Sequence, residues 1–183
     1  MKKLILSFAF GFIVSSQVLA QLIMTQTGET SFFSETPLEN IAAKNNLVAA
    51  AINTTNGDVA VKIPMNQFKF SNKLMEEHFN ENYVESEKFP SATFRGKIQE
   101  PIDFKKDGSY DVSAKGLLEI HGVKQERTIK GKLTIAKDQV TLEANFDVKL
   151  VEHKIEIPTV VFAKIAESIA VKNKWVLVPK KNI

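Results

Sequence analysis

The stretch YDVSAKGLLEIHGVKQERTIKGKLTI, from Tyr110 to Ile135, decides the fold of this chain. Tyr110, Val112, Ala114, Gly116, Leu118 and Ile120 fall on one phase of a period-two pattern, and His121-Gly122 breaks it. The pattern resumes with Val123, Ile129, Leu133 and Ile135, with Gln125, Arg127 and Gly131 in the same phase. Lys124, Glu126, Thr128, Lys130, Lys132 and Thr134 occupy the other phase. Successive side chains of a strand point to opposite faces, so this spacing predicts two long half-buried strands joined by a tight turn.

Outward from this hairpin the same period recurs. Val140, Leu142, Ala144, Phe146, Val148 and Leu150 alternate with Thr141, Glu143, Asn145, Asp147 and Lys149. Ala92 and Phe94 alternate with Thr93 and Arg95, and Ile169, Val171, Trp175 and Leu177 mark a last strand. Upstream, Leu47 to Asn53 is a strand candidate, followed by Asn56-Gly57, a hairpin turn signal, and then Val59, Val61, Ile63 and Met65. After Asn66 the apolar phase moves to Phe68 and Phe70, which predicts a bulge or a strand end. Leu74, Met75, Phe79 and Tyr83 instead recur at helical spacing, with Ser71 or Asn72 as cap. Val161, Phe162 and Ile165, after Pro158, suit a second brief helix. The fold class is therefore all-β, an antiparallel barrel of about eight strands with one or two short helices. A barrel of about eight strands is filled by side chains or holds one small ligand, and periodicity does not choose between the two.

The first twenty residues read differently. Lys2 and Lys3 precede an apolar run from Leu4 to Val14, and Val18-Leu19-Ala20 forms a cleavage site before Gln21. This is the pattern of a secretory signal peptide, and the run is too short to span a bilayer, which takes about 20 apolar residues. The expected mature domain is 21–183, exported and without an integral membrane anchor. Without Lys2 and Lys3 the chain has 22 basic residues against 21 acidic ones, interspersed, which argues against a nucleic-acid partner. There is no cysteine, so no disulfide and no thiol nucleophile.

Catalytic signatures are missing: no nucleophile elbow, no zinc-protease helix, no phosphate-binding loop. Of the three histidines, His78 with Glu81 is the one local pair at metal-ligand spacing and reads as polar helix surface. His121 reads as a turn residue before Gly122. The chain is expected to have no catalytic residue and no metal. Phenylalanine carries the sharper signal, with 13 Phe against two Tyr and one Trp. On phase, Phe70, Phe79, Phe94, Phe146 and Phe162 point inward. They suit an ordinary packed core or the lining of an apolar tunnel. Ala49, Ala50, Ala51, Ala114, Gly116 and Gly131 leave room on inward faces or accommodate large neighbours.

Phe89-Pro-Ser-Ala-Thr-Phe94, preceded by Leu74-Met75 and His78-Phe79 and followed by Leu118-Glu119-Ile120-His121-Gly122-Val123, resembles the YceI-like family. The similarity runs from about Thr30 to Leu177. It implies an extended lipocalin-like barrel with a long apolar pore, a periplasmic location and no catalytic mechanism. It implies no cofactor beyond a bound isoprenoid or quinone-type lipid, and as partner a polyisoprenoid-like or other long-tailed amphiphile, sequestered or carried. Interior lining carries over to Phe79, Phe94 and Ile120. Two other roles stay open on the residues: a packed barrel acting as an envelope interaction module, and an enzyme acting on a bound isoprenoid or quinone. Many members carry an Arg-x-Asp-Phe-Gly-Ile-like run late in the chain. Here Leu150-Val151-Glu152-His153-Lys154-Ile155 stands in its place, without the arginine and the glycine, which implies a different head-group contact or none.

Overall fold

A computed structural model describes residues 22–137 and 139–180, with only the backbone described at 160–162. The expected leader at 1–20 lies outside the described residues. Nine strands form one antiparallel sheet: β1 (Leu22–Glu35), β2 (Asn40–Asn53), β3 (Asp58–Pro64), β4 (Lys69–Phe70), β5 (Ser91–Ile98), β6 (Gly108–Ile120), β7 (Val123–Ala136), β8 (Gln139–Lys149) and β9 (Ser168–Pro179). Eight of them close into a barrel in the order β1-β9-β8-β7-β6-β5-β3-β2, with β1 pairing β2 to complete the ring. The short β4 adds to β2 at Ala43 and Lys44.

The Tyr110–Ile135 hairpin forms as its alternation predicts. β6 and β7 pair without a slip from Gly108↔Ile135 to Ile120↔Val123. His121 and Gly122 both have positive φ, 53° and 71°, as a two-residue hairpin turn of matching twist requires. At Asn56-Gly57 the glycine alone has positive φ, at the end of a longer turn. The phase shift after Asn66 is a single 3-10 turn, Met65–Gln67, which ends β3 and starts β4. The helical stripe becomes α1 (Lys73–His78), which continues through a wider turn over Phe79–Tyr83. Asn72 caps it, its side-chain oxygen accepting from Leu74 N at 2.9 Å. The second brief helix is a 3-10 segment, Thr159–Lys164.

Sequence reasoning placed no strand on Leu22–Glu35, yet β1 is one of the longest strands and the one that closes the barrel. Its register is irregular at Gly28, and its outer positions are not consistently polar, so period two is blurred there.

The interior divides in two. In the half that holds the β2–β3, β5–β6 and β7–β8 turns, Val48, Ile52, Leu133 and Leu177 are fully buried and pack with Val59, Val61, Phe94, Ile98, Val112 and Trp175. Each such side chain contributes about 1.5–3 kcal/mol of burial. The other half holds a smaller cluster of Ala43, Met65, Phe68, Val84 and Ala92 at the edge of an open space. The long pore expected from the resemblance is thus a blind pocket, because the packed half fills the rest of the barrel.

The wall of this open half is incomplete. β7 and β8 pair only from Gly131↔Ala144 to Ala136↔Gln139. Beyond that point side chains of β7 bridge the seam. Gln125 Nε2 donates to Glu152 O at 2.9 Å, and Arg127 donates to Asp147 O at 3.3 Å and meets the Glu152 carboxylate at 3.1 Å. This explains why the inward phase of β7 carries the polar Gln125 and Arg127.

Candidate functional site

The open half contains a cavity of about 400 Å³, within the usual range of about 300–1,000 Å³ for ligand pockets. Four phenylalanines build one wall. Phe32 from β1 lies 5.2 Å from Phe68, 5.7 Å from Phe70 and 5.4 Å from Phe79, between ring centroids. Phe79 also touches Phe68 and Phe70, at 5.6 and 5.2 Å. Stacked, tilted and edge-on, these rings pack against one another, so the wall is in place before any ligand arrives. The helical segment adds Leu74, Met75, His78 and Tyr83. The facing wall is Ile120 on β6, Phe146 and Val148 on β8, Ile169 and Val171 on β9, and Leu150, Ile155 and Ile165 from the connection between those last two strands. Ile63, Ala92, Leu118 and Thr30 complete the bottom.

Polar groups on this surface are few. At the rim Lys164 Nζ lies 3.8 Å from Glu39 Oε2, and the exposed Leu74 stands nearby on the helical side of the opening. Ser34 Oγ accepts from Ala166 N at 2.9 Å, tying the connection to β1. Burial pushes the Tyr83 hydroxyl above its ordinary range.

Of the residues singled out in the sequence, Phe70, Phe79, Ile120 and Phe146 converge on this cavity. Phe94 does not join them. It is buried in the packed half, its ring folded over Gly96 two residues along the same strand. The Phe162 side chain lies outside the described residues. Phe32, Phe68, Met65 and Ile41 were missed. Phe32-Phe33 carried the usable signal, since adjacent strand residues take opposite faces and one of the pair had to point inward. His78 lies in the wall without a metal partner set: among the described residues, no three His, Asp or Glu side chains come together.

Outside the cavity, a clasp joins three segments at the open end. His121 Nε2 lies 2.6 Å from Glu85 Oε2, and its Nδ1 lies 3.1 Å from His153 O. Both partners offer an oxygen, so each ring nitrogen is held against an acceptor. The hydrogen bond from His121, with Lys88 beside it, holds the Glu85 carboxyl below its usual range. His121 is thus a turn residue that also pins the hairpin to the segment after α1. Gly122 is required there twice over, by its φ and because a Cβ would lie 2.6 Å from the Phe89 ring.

His153 is fully buried, with Nδ1 3.3 Å from Val123 O and Nε2 unpartnered. Burial holds its imidazole below the ordinary histidine range, and nearby Arg127 acts in the same direction. The folded protein therefore keeps it neutral where the unfolded chain, with a histidine pKa of about 6.5, takes up a proton. Stability should fall as pH drops below about 6.5, by at most about 1.4 kcal/mol per pH unit. The lowered carboxyls Glu76, Glu85 and Glu100 lose their contribution only further down, below the ordinary carboxyl range. Denaturant melts at pH 7.5 and 5.5 should show a smaller loss for His153→Leu than for the wild type. Equal losses would place the titration elsewhere.

Comparison with known proteins agrees with this architecture. A polyisoprenoid binding domain from Saccharophagus degradans superimposes with a TM-score of 0.72 at 15% identity, covering 88% of this chain and 100% of that one. BcnA of Burkholderia cenocepacia gives 0.69 at 12% identity over 82% and 96% of the two chains. A YceI protein from Campylobacter jejuni gives 0.56 at 15% identity over the whole of both. No curated protein matches by sequence. Identities this low establish a common fold. The family itself is established by the sequence model for the YceI-like domain, which matches residues 18–177, and the chain belongs to that family.

Proposed function

We propose that the protein is an exported carrier that holds the apolar tail of an isoprenoid-like or similar amphiphile. The observation that carries this reading is the preformed cavity, walled by interlocked phenylalanines and open at one end of the barrel. Apolar surface withdrawn from water there contributes roughly 25 cal/mol per Å². A preformed wall adds little ordering cost on binding. The Saccharophagus degradans relative, described as a polyisoprenoid binding domain, supports the choice of ligand class. The basic and apolar start of the chain supports export to the periplasm, with cleavage after Ala20. Among the described residues no helix is long and apolar enough to cross a membrane. Among the described residues the one close histidine–carboxylate contact is His121–Glu85, and neither residue lines the cavity, which favours binding over catalysis.

The test is to express the chain with its own leader, purify it from the periplasm, extract it with organic solvent and analyse the extract by mass spectrometry. One lipid at near-equimolar amount is the expected result. An extract at background, together with no uptake of added farnesol by the delipidated protein, would overturn the reading.

A further inference from the structure

We propose that Trp175, seated in a notch left by Gly28, sets the depth of the cavity and so restricts the bound amphiphile to a short apolar tail. This rests on the carrier reading above and adds a limit that the family resemblance, with its long pore, does not contain.

The strands change role at one level. β9 contributes Ile169 and Val171 to the cavity wall, but the next inward residues, Asn173 and Trp175, are buried in packed protein. β8 contributes Val148 and Phe146, and the next inward residues, Ala144 and Leu142, are again packed. On β1 the wall ends at Thr30. A polar latch lies at this level. Trp175 Nε1 donates to Thr30 Oγ1 at 3.4 Å, Thr30 Oγ1 donates to Asn173 Oδ1 at 2.8 Å, and Asn173 Nδ2 donates to Ala144 O at 3.0 Å. The latch joins β1, β9 and β8. Breaking it would leave buried polar groups without partners, so an incoming tail does not push through it cheaply.

Gly28 is what lets the indole sit there. A Cβ at this position would lie 2.5 Å from Trp175 Cδ1, and β1 slips register against β2 on either side of Gly28. A bulged glycine facing a large ring is a fitted pair, since a glycine inside a strand marks a close approach or a bulge. The sequence has one tryptophan, and it stands under the floor of the cavity.

The experiment is calorimetric titration of the delipidated protein with geraniol, farnesol, geranylgeraniol and solanesol in one fixed detergent. Wild-type affinity should rise about tenfold or more per added isoprene unit among the shorter alcohols and then stop rising. Trp175→Ala should bind the first alcohol beyond that limit about fivefold or more tighter than wild type does, with geraniol unchanged. Because Trp175→Ala opens the core and can unfold the barrel, a second measurement uses the wild type alone. A fatty alcohol brominated at its tail end should quench the single tryptophan, and one brominated beside the hydroxyl should not. Wild-type affinity still climbing at solanesol, a folded Trp175→Ala with an unchanged series, or equal quenching by both brominated alcohols would overturn the depth limit and leave the carrier reading intact. No binding at any length would overturn both.

Discussion

Phe146→Asp abolishes amphiphile binding and leaves the barrel folded. Phe146 is half-buried on β8 beside Val171 on β9, and both lie in the cavity wall. In the empty protein a carboxylate there faces an open, wettable space and keeps much of its hydration. Once an apolar tail fills the cavity, that hydration is lost. Stripping water from a carboxylate with no partner costs several kcal/mol. The ring contacts, about 1.5–3 kcal/mol for a fully buried side chain, are lost as well. The affinity should therefore fall at least about a hundredfold, since each factor of ten is about 1.4 kcal/mol. Phe146→Leu should bind within about tenfold of wild type, because it keeps an apolar surface of similar reach. Titration of both variants with farnesol, alongside circular dichroism, separates binding from folding. A folded Phe146→Asp with wild-type affinity would mean that the tail does not run along β8.

The alternation that reveals the barrel also reveals half of the cavity, for a physical reason. Phe70, Ile120 and Phe146 were legible as inward because each follows a local period, of strand or of strand edge, and Phe79 because it lies on the helical stripe. Whether an inward side chain meets protein or open space is decided by the strand opposite, which no local period encodes. Phe94 shows the difference. It shares a face with Ala92, which borders the cavity, yet two residues further along the strand the barrel is already packed. The floor was illegible for the same reason. Gly28, Thr30, Asn173 and Trp175 come from opposite ends of the chain and meet only when β1 pairs with β9. The seam between β7 and β8 left a trace, Gln125 and Arg127 on an inward phase, but polar residues there do not by themselves say that a ladder has parted.

Gly116 is the residue whose meaning changes most between sequence and structure, and Gly116→Ala should cost about 3 kcal/mol, the upper end of the range for overpacking. In the sequence it is one of several small inward residues that leave room for a ligand or for large neighbours. In the barrel it stands opposite Gly96 across the β5–β6 ladder. A Cβ on Gly116 would run into the Arg95 carbonyl oxygen and the Gly96 Cα, and a Cβ on Gly96 would lie 2.6 Å from Lys115 O. These obstacles are backbone atoms held by the ladder on both sides, so no rotamer change relieves the clash. The strands would have to part where Leu118 and Phe94, also paired across this ladder, anchor the packed half. The paired glycines therefore let two strands approach closely, and neither lines the cavity. For a domain of this size 3 kcal/mol corresponds to a loss of roughly 6–12 °C in melting temperature. Lys115→Ala, at the exposed neighbouring position, should stay within about 0.5 kcal/mol of wild type. If thermal melts put Gly116→Ala beside that control, the ladder has slack and the glycine serves the ligand after all; farnesol affinity of the variant would then fall as its melting temperature holds.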